Sequence, residues 1–229
     1  MPSELSSIAE PRVLLLAWAA GLAFAAGLVS LSRSVGPGFT WLTAGAAGAV
    51  GSAGVLGQGA WWARSALAAL GAGMLWARRR ELAGALIALA GVGYVVEASL
   101  IGGWAPVLSA TVALGGVTGE MMLGHWFLVD PRLPRKALRA LAAIGIVGLA
   151  LDGLTLAVVG DMAGGGERIV FWALLGASIL LMAGVLGALR HPAYSAVMAA
   201  TGLSYLAVLT TLGAVFLGRA LVAGVGPFG

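Results

Sequence analysis

Long apolar runs recur along the whole chain, and they constrain the fold more than any other feature of the sequence. Eight such runs follow one another, separated by short polar segments. A helix of about 20 apolar residues crosses the ~30 Å hydrocarbon core of a bilayer, since each residue adds about 1.5 Å. Transmembrane β-strands would alternate polar and apolar residues, and these runs do not. The sequence therefore predicts an all-α, polytopic integral membrane bundle of about eight transmembrane helices.

The composition agrees with a membrane protein. Of the 229 residues, 60% are apolar and only 10% are charged. A soluble domain of this size could not bury so much apolar surface, because its exterior needs polar cover. The sequence contains no cysteine, which excludes thiolate catalysis and Cys-ligated clusters. We expect one transmembrane domain over residues 1–229, with loops too short to form a soluble catalytic domain.

The boundaries of the runs can be read to within a few residues. The third run is the least certain, because Gly57-Gln58-Gly59 is the only turn signal before it and Arg64 falls inside it. A hairpin that does not fully cross the membrane is the alternative for that segment. The predicted spans are 12–31, 39–58, 60–77, 82–101, 106–129, 140–160, 169–189 and 194–222.

The charges between the runs predict the orientation. One side receives nine basic and two acidic residues, namely Arg33, Arg78 to Glu81, the charged residues of 130–139, and Arg190. The other side receives four of each sign, namely Glu4, Glu10, Arg12, Arg64, Asp161, Glu167, Arg168 and Arg219. The positive-inside rule makes the first side cytoplasmic and places both termini outside. The formal charge of +4 therefore indicates topology and not nucleic-acid binding.

A weak internal repeat suggests a parallel 4+4 arrangement. At an offset of 111, residues 70–94 match 181–205 at ten of 25 positions, and Arg79 aligns with Arg190. A chain rich in Ala, Gly and Leu gives several matches by chance, so a duplication is an open alternative. Its halves would be 1–105 and 106–229, in the same orientation because four spans restore it.

The second run carries glycine at every third position. Small residues let helices approach closely in lipid, so this pattern predicts a tightly packed central helix. A substrate groove along the same helix is the alternative. The glycines concerned are Gly45, Gly48, Gly51, Gly54 and Gly57.

Three carboxylates fall inside predicted spans, where an ionisable side chain is costly and often functional. From the cytoplasmic ends of their spans, the helix rise places Glu97 at ~22 Å, Asp152 at ~18 Å, Glu120 at ~14 Å and His125 at ~6 Å. Such a stepped series predicts a route for protons, because burial disfavours the charged form of a carboxyl group. Alternatively, each acid pairs with a polar or basic side chain, as Tyr94 and Thr155 lie one turn from Glu97 and Asp152.

Aromatic residues near the cytoplasmic boundary suggest a second kind of site. His125 and Trp126, together with Tyr94, could line a quinone pocket; an ordinary interfacial aromatic belt is the alternative. Quinone is thus the one candidate cofactor. Haem b ligated by His125 has little support, because nothing places His191, the second histidine, on a facing helix. Two histidines are also too few for a zinc site.

A basic cluster follows the fifth predicted span. It sets topology in the first place, and it could also hold anionic lipid head groups or dock a cytoplasmic partner. Its members are Arg132, Arg135, Lys136 and Arg139.

These features predict a multi-pass inner-membrane subunit of an electron-transfer or energy-conserving complex. In it, the buried acids and His125 would handle protons or quinone, and the partners would be the lipid bilayer and other subunits. The sequence lacks the Walker A, HExxH and GxSxG motifs that would indicate an autonomous enzyme. A small secondary transporter or channel is the first alternative, and a purely structural membrane subunit is the second.

Overall fold

The computed structural model describes residues 7–55, 60–160 and 165–224, and helices dominate all three ranges. A short 3-10 turn at Ser7–Ala9 precedes eight α-helices. The helices are α1 (Pro11–Leu31), α2 (Pro37–Gly54), α3 (Trp61–Leu75), α4 (Arg80–Gly102), α5 (Trp104–Val129), α6 (Arg135–Val159), α7 (Gly166–Ala188) and α8 (Tyr194–Val222). The predicted all-α membrane bundle is confirmed.

Proline and glycine set several helix ends. Pro11 and Pro37 occupy the first positions of α1 and α2, where the missing N–H would have no helical partner. Pro134 directly precedes α6. Gly103 is the single residue between α4 and α5, and its φ of 79° and ψ of 153° lie in a region that only glycine adopts without strain.

Within the described ranges, six helices are long and apolar enough to cross a bilayer, and α2 and α3 are the two that are not. The 18 residues of α2 nevertheless run alongside nearly all of α1. The hydroxyl groups of Thr40 and Ser30 are 2.9 Å apart at one end, and Arg12 donates a hydrogen bond to the Gly54 carbonyl at the other. The side with Arg12 is called the outer side below.

Helix α3 starts well short of the outer side. A Cβ atom added to Gly93 of α4 would lie 2.9 Å from the carbonyl oxygen of Trp62, in the first turn of α3. Gly93 precedes the end of α4 by nine residues, which is about 14 Å of helix. Helix α3 therefore supports the alternative for segment 60–77, a hairpin that does not fully cross. The predicted Gly57–Gly59 turn lies outside the described residues.

The four loops of the predicted cytoplasmic side do lie together, and this is called the basic side. Arg33 pairs with Glu81 across two of these loops, and Arg80 donates to the Arg33 carbonyl at 2.9 Å. Arg135 donates to the carbonyl groups of residues 191–193 across the other two loops. Since the loops alternate between two sides as predicted, the odd- and even-numbered helices run in opposite directions.

The two sets of four helices pack in the same order. In the first set, α1 packs against α2 and α4, and α3 packs against α4. In the second set, α5 packs against α6 and α8, and α7 packs against α8. This shared order agrees with a parallel 4+4 arrangement of residues 1–105 and 106–229, whose origin by duplication stays a prediction.

The halves meet where α1 crosses α5 at two glycines. A Cβ atom on Gly21 would lie 2.6 Å from the Cα atom of Gly115, and the reciprocal distance is 2.5 Å. Side chains other than hydrogen cannot fit between backbones this close. Among the six long apolar helices, α1 and α5 are also the most buried, so they form the centre of the bundle.

The prediction that the glycine-rich α2 is the central helix is wrong. Gly51 and Gly54 do pack closely, against Tyr94 and Leu16, but Gly45 and Gly48 have no atom nearer than 3.9 and 3.8 Å to an added Cβ. Three residues advance an α-helix by about 300°, so a series of glycines at this spacing drifts around the helix, and its first and last members point to different faces. Gly57, the last of the series, lies outside the described residues.

Candidate functional site

Asp152 lies in a buried ion pair near the outer side of the second half. Its oxygens Oδ2 and Oδ1 accept hydrogen bonds from Nη1 and Nη2 of Arg219 at 3.0 and 2.7 Å, and both side chains are 1% exposed. The Ser109 hydroxyl donates to Oδ1 at 2.6 Å, and Arg219 also donates to the Pro106 carbonyl. These bonds satisfy the buried charges and tie α5, α6 and α8 together.

Arg219 is therefore not exposed on the outer side, where the charge pattern predicts it. It lies in the last turn of α8 and turns into the bundle. When Arg219 is no longer counted on the outer side, the difference in basic residues between the two sides becomes larger. The charge pattern therefore still supports the predicted orientation.

Glu97 forms the corresponding contact in the first half. Its Oε1 atom accepts a hydrogen bond from Nη2 of Arg12 at 2.7 Å, and Nε of Arg12 donates to the Gly54 carbonyl at 2.8 Å. The Arg12 side chain is 25% exposed and that of Glu97 is 8% exposed. An arginine–carboxylate pair thus connects helices at the outer end of each half. The helices do not correspond, since α1 and α4 supply the pair in the first half and α6 and α8 supply it in the second.

The predicted series of protonatable groups is not assembled as one route. Glu97 and Asp152 lie in different halves, and each has its own arginine. The alternative, in which each acid pairs with a neighbouring helix, describes these two correctly. Their partners are arginines, not the nearby Tyr94 and Thr155, and the Tyr94 hydroxyl has no hydrogen-bond partner among the described residues.

Glu120 differs from the other two acids. It is 0% exposed, and neither oxygen makes a hydrogen bond of normal geometry with any described residue. Thr201 and Ser204 of α8 face it. Their hydroxyl groups donate to the backbone carbonyls of Val197 and Thr201 at 2.9 and 2.8 Å. We call this contact between α5 and α8 the Glu120 seam.

At this position Glu120 can hold a proton, and the neighbouring hydroxyl groups can also stabilise its charged form. A buried, unpaired carboxylate costs several kcal/mol or more in an apolar medium, so the neutral acid is the favoured form there. A hydroxyl group can rotate from a backbone carbonyl toward a new acceptor. Thr201 and Ser204 could therefore donate to Glu120 when its proton leaves. Gly124 leaves the space for this, because a Cβ there would lie 2.8 Å from the Thr201 hydroxyl oxygen.

His125 lies on the exposed edge of the same seam. Its Nδ1 atom is 3.1 Å from the Tyr205 hydroxyl, and the two rings meet edge to face at 6.5 Å. As their angular separation of about 140° predicts, His125 and Glu120 point to different faces of α5. Helix α8 contacts both of them, because Ser204 faces Glu120 and Tyr205 lies against His125.

No family model, curated protein or solved structure matches this chain. The chemistry of the described side chains is therefore the basis for inferring a function.

The predicted quinone pocket of His125, Trp126 and Tyr94 is not brought together. The Trp126 ring packs on Phe39 of α2 at a centroid distance of 6.2 Å. Tyr94 belongs to the core of the first half, and its ring lies against Gly51. Adjacent residues of a helix point about 100° apart, so His125 and Trp126 meet different neighbours.

Sequence reasoning missed several residues of these sites, and Tyr205 and Arg219 are the two that a sequence signal could have marked. Tyr205 is aligned with Tyr94 by the internal repeat, and Arg219 is a charged residue within an apolar run. Either signal could have marked the residue, although neither identifies its partner. Among the described residues, no group of three or more histidine, aspartate and glutamate side chains could hold a metal ion.

Three of the four predicted docking cations line one open cleft on the basic side. Arg135, Lys136 and Arg139 contribute to it from the start of α6, and Arg190 completes it from the turn before α8. Arg132 does not line the cleft. It belongs to the preceding turn, where its backbone N–H donates to Asp130.

Proposed function

We propose that this chain handles protons within the membrane, as a multi-pass inner-membrane subunit of an electron-transfer or energy-conserving complex. One observation carries the proposal: Glu120 is completely buried and has neither a cation nor a normal hydrogen bond among the described residues. The burial of Glu97 and Asp152 is explained by arginine partners that hold helices together. Glu120 has no such structural explanation, and an unpaired intramembrane acid is costly to keep.

In this proposal Glu120 holds a proton at rest and releases it when a hydroxyl group of the seam turns toward its carboxylate. Ser204 and Tyr205 lie between Glu120 and His125 along the seam. His125, on the exposed edge, passes the proton to the basic side, since one imidazole nitrogen can accept a proton while the other donates one. The electron carriers belong to the partner subunits or to quinone in the bilayer, which fits a chain with short loops.

A secondary transporter is the second candidate function, favoured by the shared packing order of the two halves. Parallel repeats are common in transporters, and the ion-coupling site lies near the middle of the membrane. Glu120 would then be the proton-coupling group. A purely structural subunit is less well supported, because it predicts an ion-pair partner for every buried acid, and Glu120 has only the hydroxyl groups of Thr201 and Ser204 beside it among the described residues.

Glu120→Gln is expected to abolish proton-coupled activity without unfolding the protein. Glutamine keeps the shape and the neutral polarity of the protonated acid but cannot release a proton. Loss of a proton-transfer group lowers rates by about 100-fold or more. The complex purified from its native membrane through a tag on this chain should show this loss in proton release, with an unchanged melting temperature. In infrared spectra, the carbonyl band of a protonated carboxylic acid should disappear.

Glu97→Gln is the matched control, since it makes the same chemical change in an acid that has an arginine partner. It should leave the infrared band in place. Full proton-coupled activity in Glu120→Gln would exclude the proton-handling role. The visible spectrum and the quinone content of the same preparation test whether the chain belongs to an electron-transfer complex. Absence of both a redox-active subunit and quinone would favour the transporter. The assay for a transporter is proton-driven flux in proteoliposomes.

A further inference from the structure

Each half of the protein carries a basic cleft on the basic side, and the two clefts differ in what they can bind. We call the one bounded by α6, α7 and the turn before α8 the second-half cleft; it encloses about 890 Å³. The first-half cleft lies between the turn before α2 and the start of α4 and encloses about 560 Å³. The internal repeat relates them, because it aligns Arg79 of one with Arg190 of the other.

The second-half cleft has three cations that nothing in the described protein neutralises. The Arg135 guanidinium already has partners within the protein, since it donates to the carbonyls of residues 191–193 and lies over the Phe127 ring. Lys136, Arg139 and Arg190 have no ion pair and no side-chain hydrogen bond with any described residue. No carboxylate of the described ranges lines the cleft. Its electrostatic field therefore favours an anion.

The same cleft has an apolar wall. Ala140 and Ala143 continue along α6 from the cations toward the membrane interior, and Leu186 faces them from α7. Both alanines are exposed, so the wall is open to an apolar chain. A soluble anion would use only the cationic rim, whereas a phospholipid has a phosphate for the rim and an acyl chain for the wall.

The first-half cleft differs in both respects. Glu81 lines it and pairs with Arg33, while Arg80 donates to the Arg33 carbonyl at 2.9 Å. Leu82 is its one apolar lining residue in the part of the chain that the structure describes. Part of its charge is thus neutralised internally, and no wall is present for an acyl chain.

We propose that the second-half cleft is a binding site for an anionic phospholipid of the leaflet on the basic side. The phosphate group lies among Lys136, Arg139 and Arg190, and one acyl chain lies along Ala140, Ala143 and Leu186. This site is separate from the Glu120 seam and does not depend on the proposed proton handling.

Native mass spectrometry of the purified chain, titrated with phosphatidylglycerol, tests the proposal. The double variant Lys136→Gln/Arg139→Gln should lower the affinity by about 25-fold, since each basic residue near an anionic head group contributes about fivefold. The matched variant Arg78→Gln/Arg79→Gln removes two charges from the first-half cleft and should change the affinity less than about twofold, because neither residue lines the second-half cleft. Equal losses in the two variants would overturn the proposal. All four side chains are exposed, so folding should be unaffected.

A third variant distinguishes a lipid from a free phosphate. Ala143→Trp fills the apolar wall and leaves every charge in place. It should weaken phosphatidylglycerol binding while sparing any binding of inorganic phosphate. If inorganic phosphate displaces the lipid from wild type at equal concentration, or if Ala143→Trp binds the lipid as well as wild type does, the site recognises phosphate alone and the proposal fails. Phosphatidylcholine, which has no net charge, should bind weakly to all variants.

Discussion

Arg219→Met is expected to melt in detergent far below the wild-type protein, and to be the most damaging single change in the outer half of the bundle. The substitution leaves the Asp152 carboxylate buried at 1% exposure without its cation. Breaking a buried ion pair by removing one partner costs about 3–5 kcal/mol. A thermal melt followed by size-exclusion chromatography measures the loss.

Two further variants show whether the unpaired Asp152 charge causes the loss of stability. The double variant Asp152→Asn/Arg219→Gln removes both charges and should recover most of the lost stability, because no uncompensated charge remains. Arg12→Met breaks the other ion pair, whose arginine is 25% exposed, so water can reach the Glu97 carboxylate and the loss should be smaller. A wild-type melting temperature for Arg219→Met, or a greater loss for Arg12→Met, would contradict the assignment.

Gly115→Ala is expected to weaken the contact between the two halves. The added methyl group would lie 2.5 Å from the Cα atom of Gly21, so α1 and α5 must move apart. Overpacking of this kind costs about 1–3 kcal/mol. The same thermal melt should show the loss, and limited proteolysis should cleave the variant faster than the wild type.

Gly176→Ala is the matched control for this prediction. Gly176 lies within α7, and an added Cβ there would have no atom within 4 Å. Alanine favours a helix over glycine by up to about 1 kcal/mol, so this variant should be as stable as the wild type or more stable. The close crossing of α1 and α5 would be refuted if both variants shifted the melting temperature in the same direction.

The helices themselves could be predicted from the sequence because bilayer thickness sets their length. The predicted spans 12–31 and 194–222 agree with Pro11–Leu31 and Tyr194–Val222 to within one residue. Span 140–160 starts too late, since α6 begins at Arg135 and includes the basic cluster. Hydropathy locates the part of a helix inside the bilayer, whereas Pro134 determines where the helix starts.

The partners of the buried acids could not be predicted in the same way. Arg219 is 67 residues from Asp152, and the sequence gives no sign that they face each other. In a soluble protein the apolar stripe of a helix shows which face is buried. In lipid every face can be apolar, so the pattern does not identify contact faces. Glu120 could therefore be predicted as a buried acid, whereas its lack of a cationic partner and its position against Thr201 and Ser204 required the structure.

The single residue between α4 and α5 also limits how the halves could move. Gly103 joins them at the outer side with no slack in the chain. Residues 1–105 cannot swing away from 106–229 at that corner without breaking helix α4 or α5. Any rocking motion must use the corner as a hinge and open the crossing of α1 and α5 from the opposite side of the membrane. As a transporter, the protein would therefore have a fixed outer end, and a gate would lie at its end on the basic side.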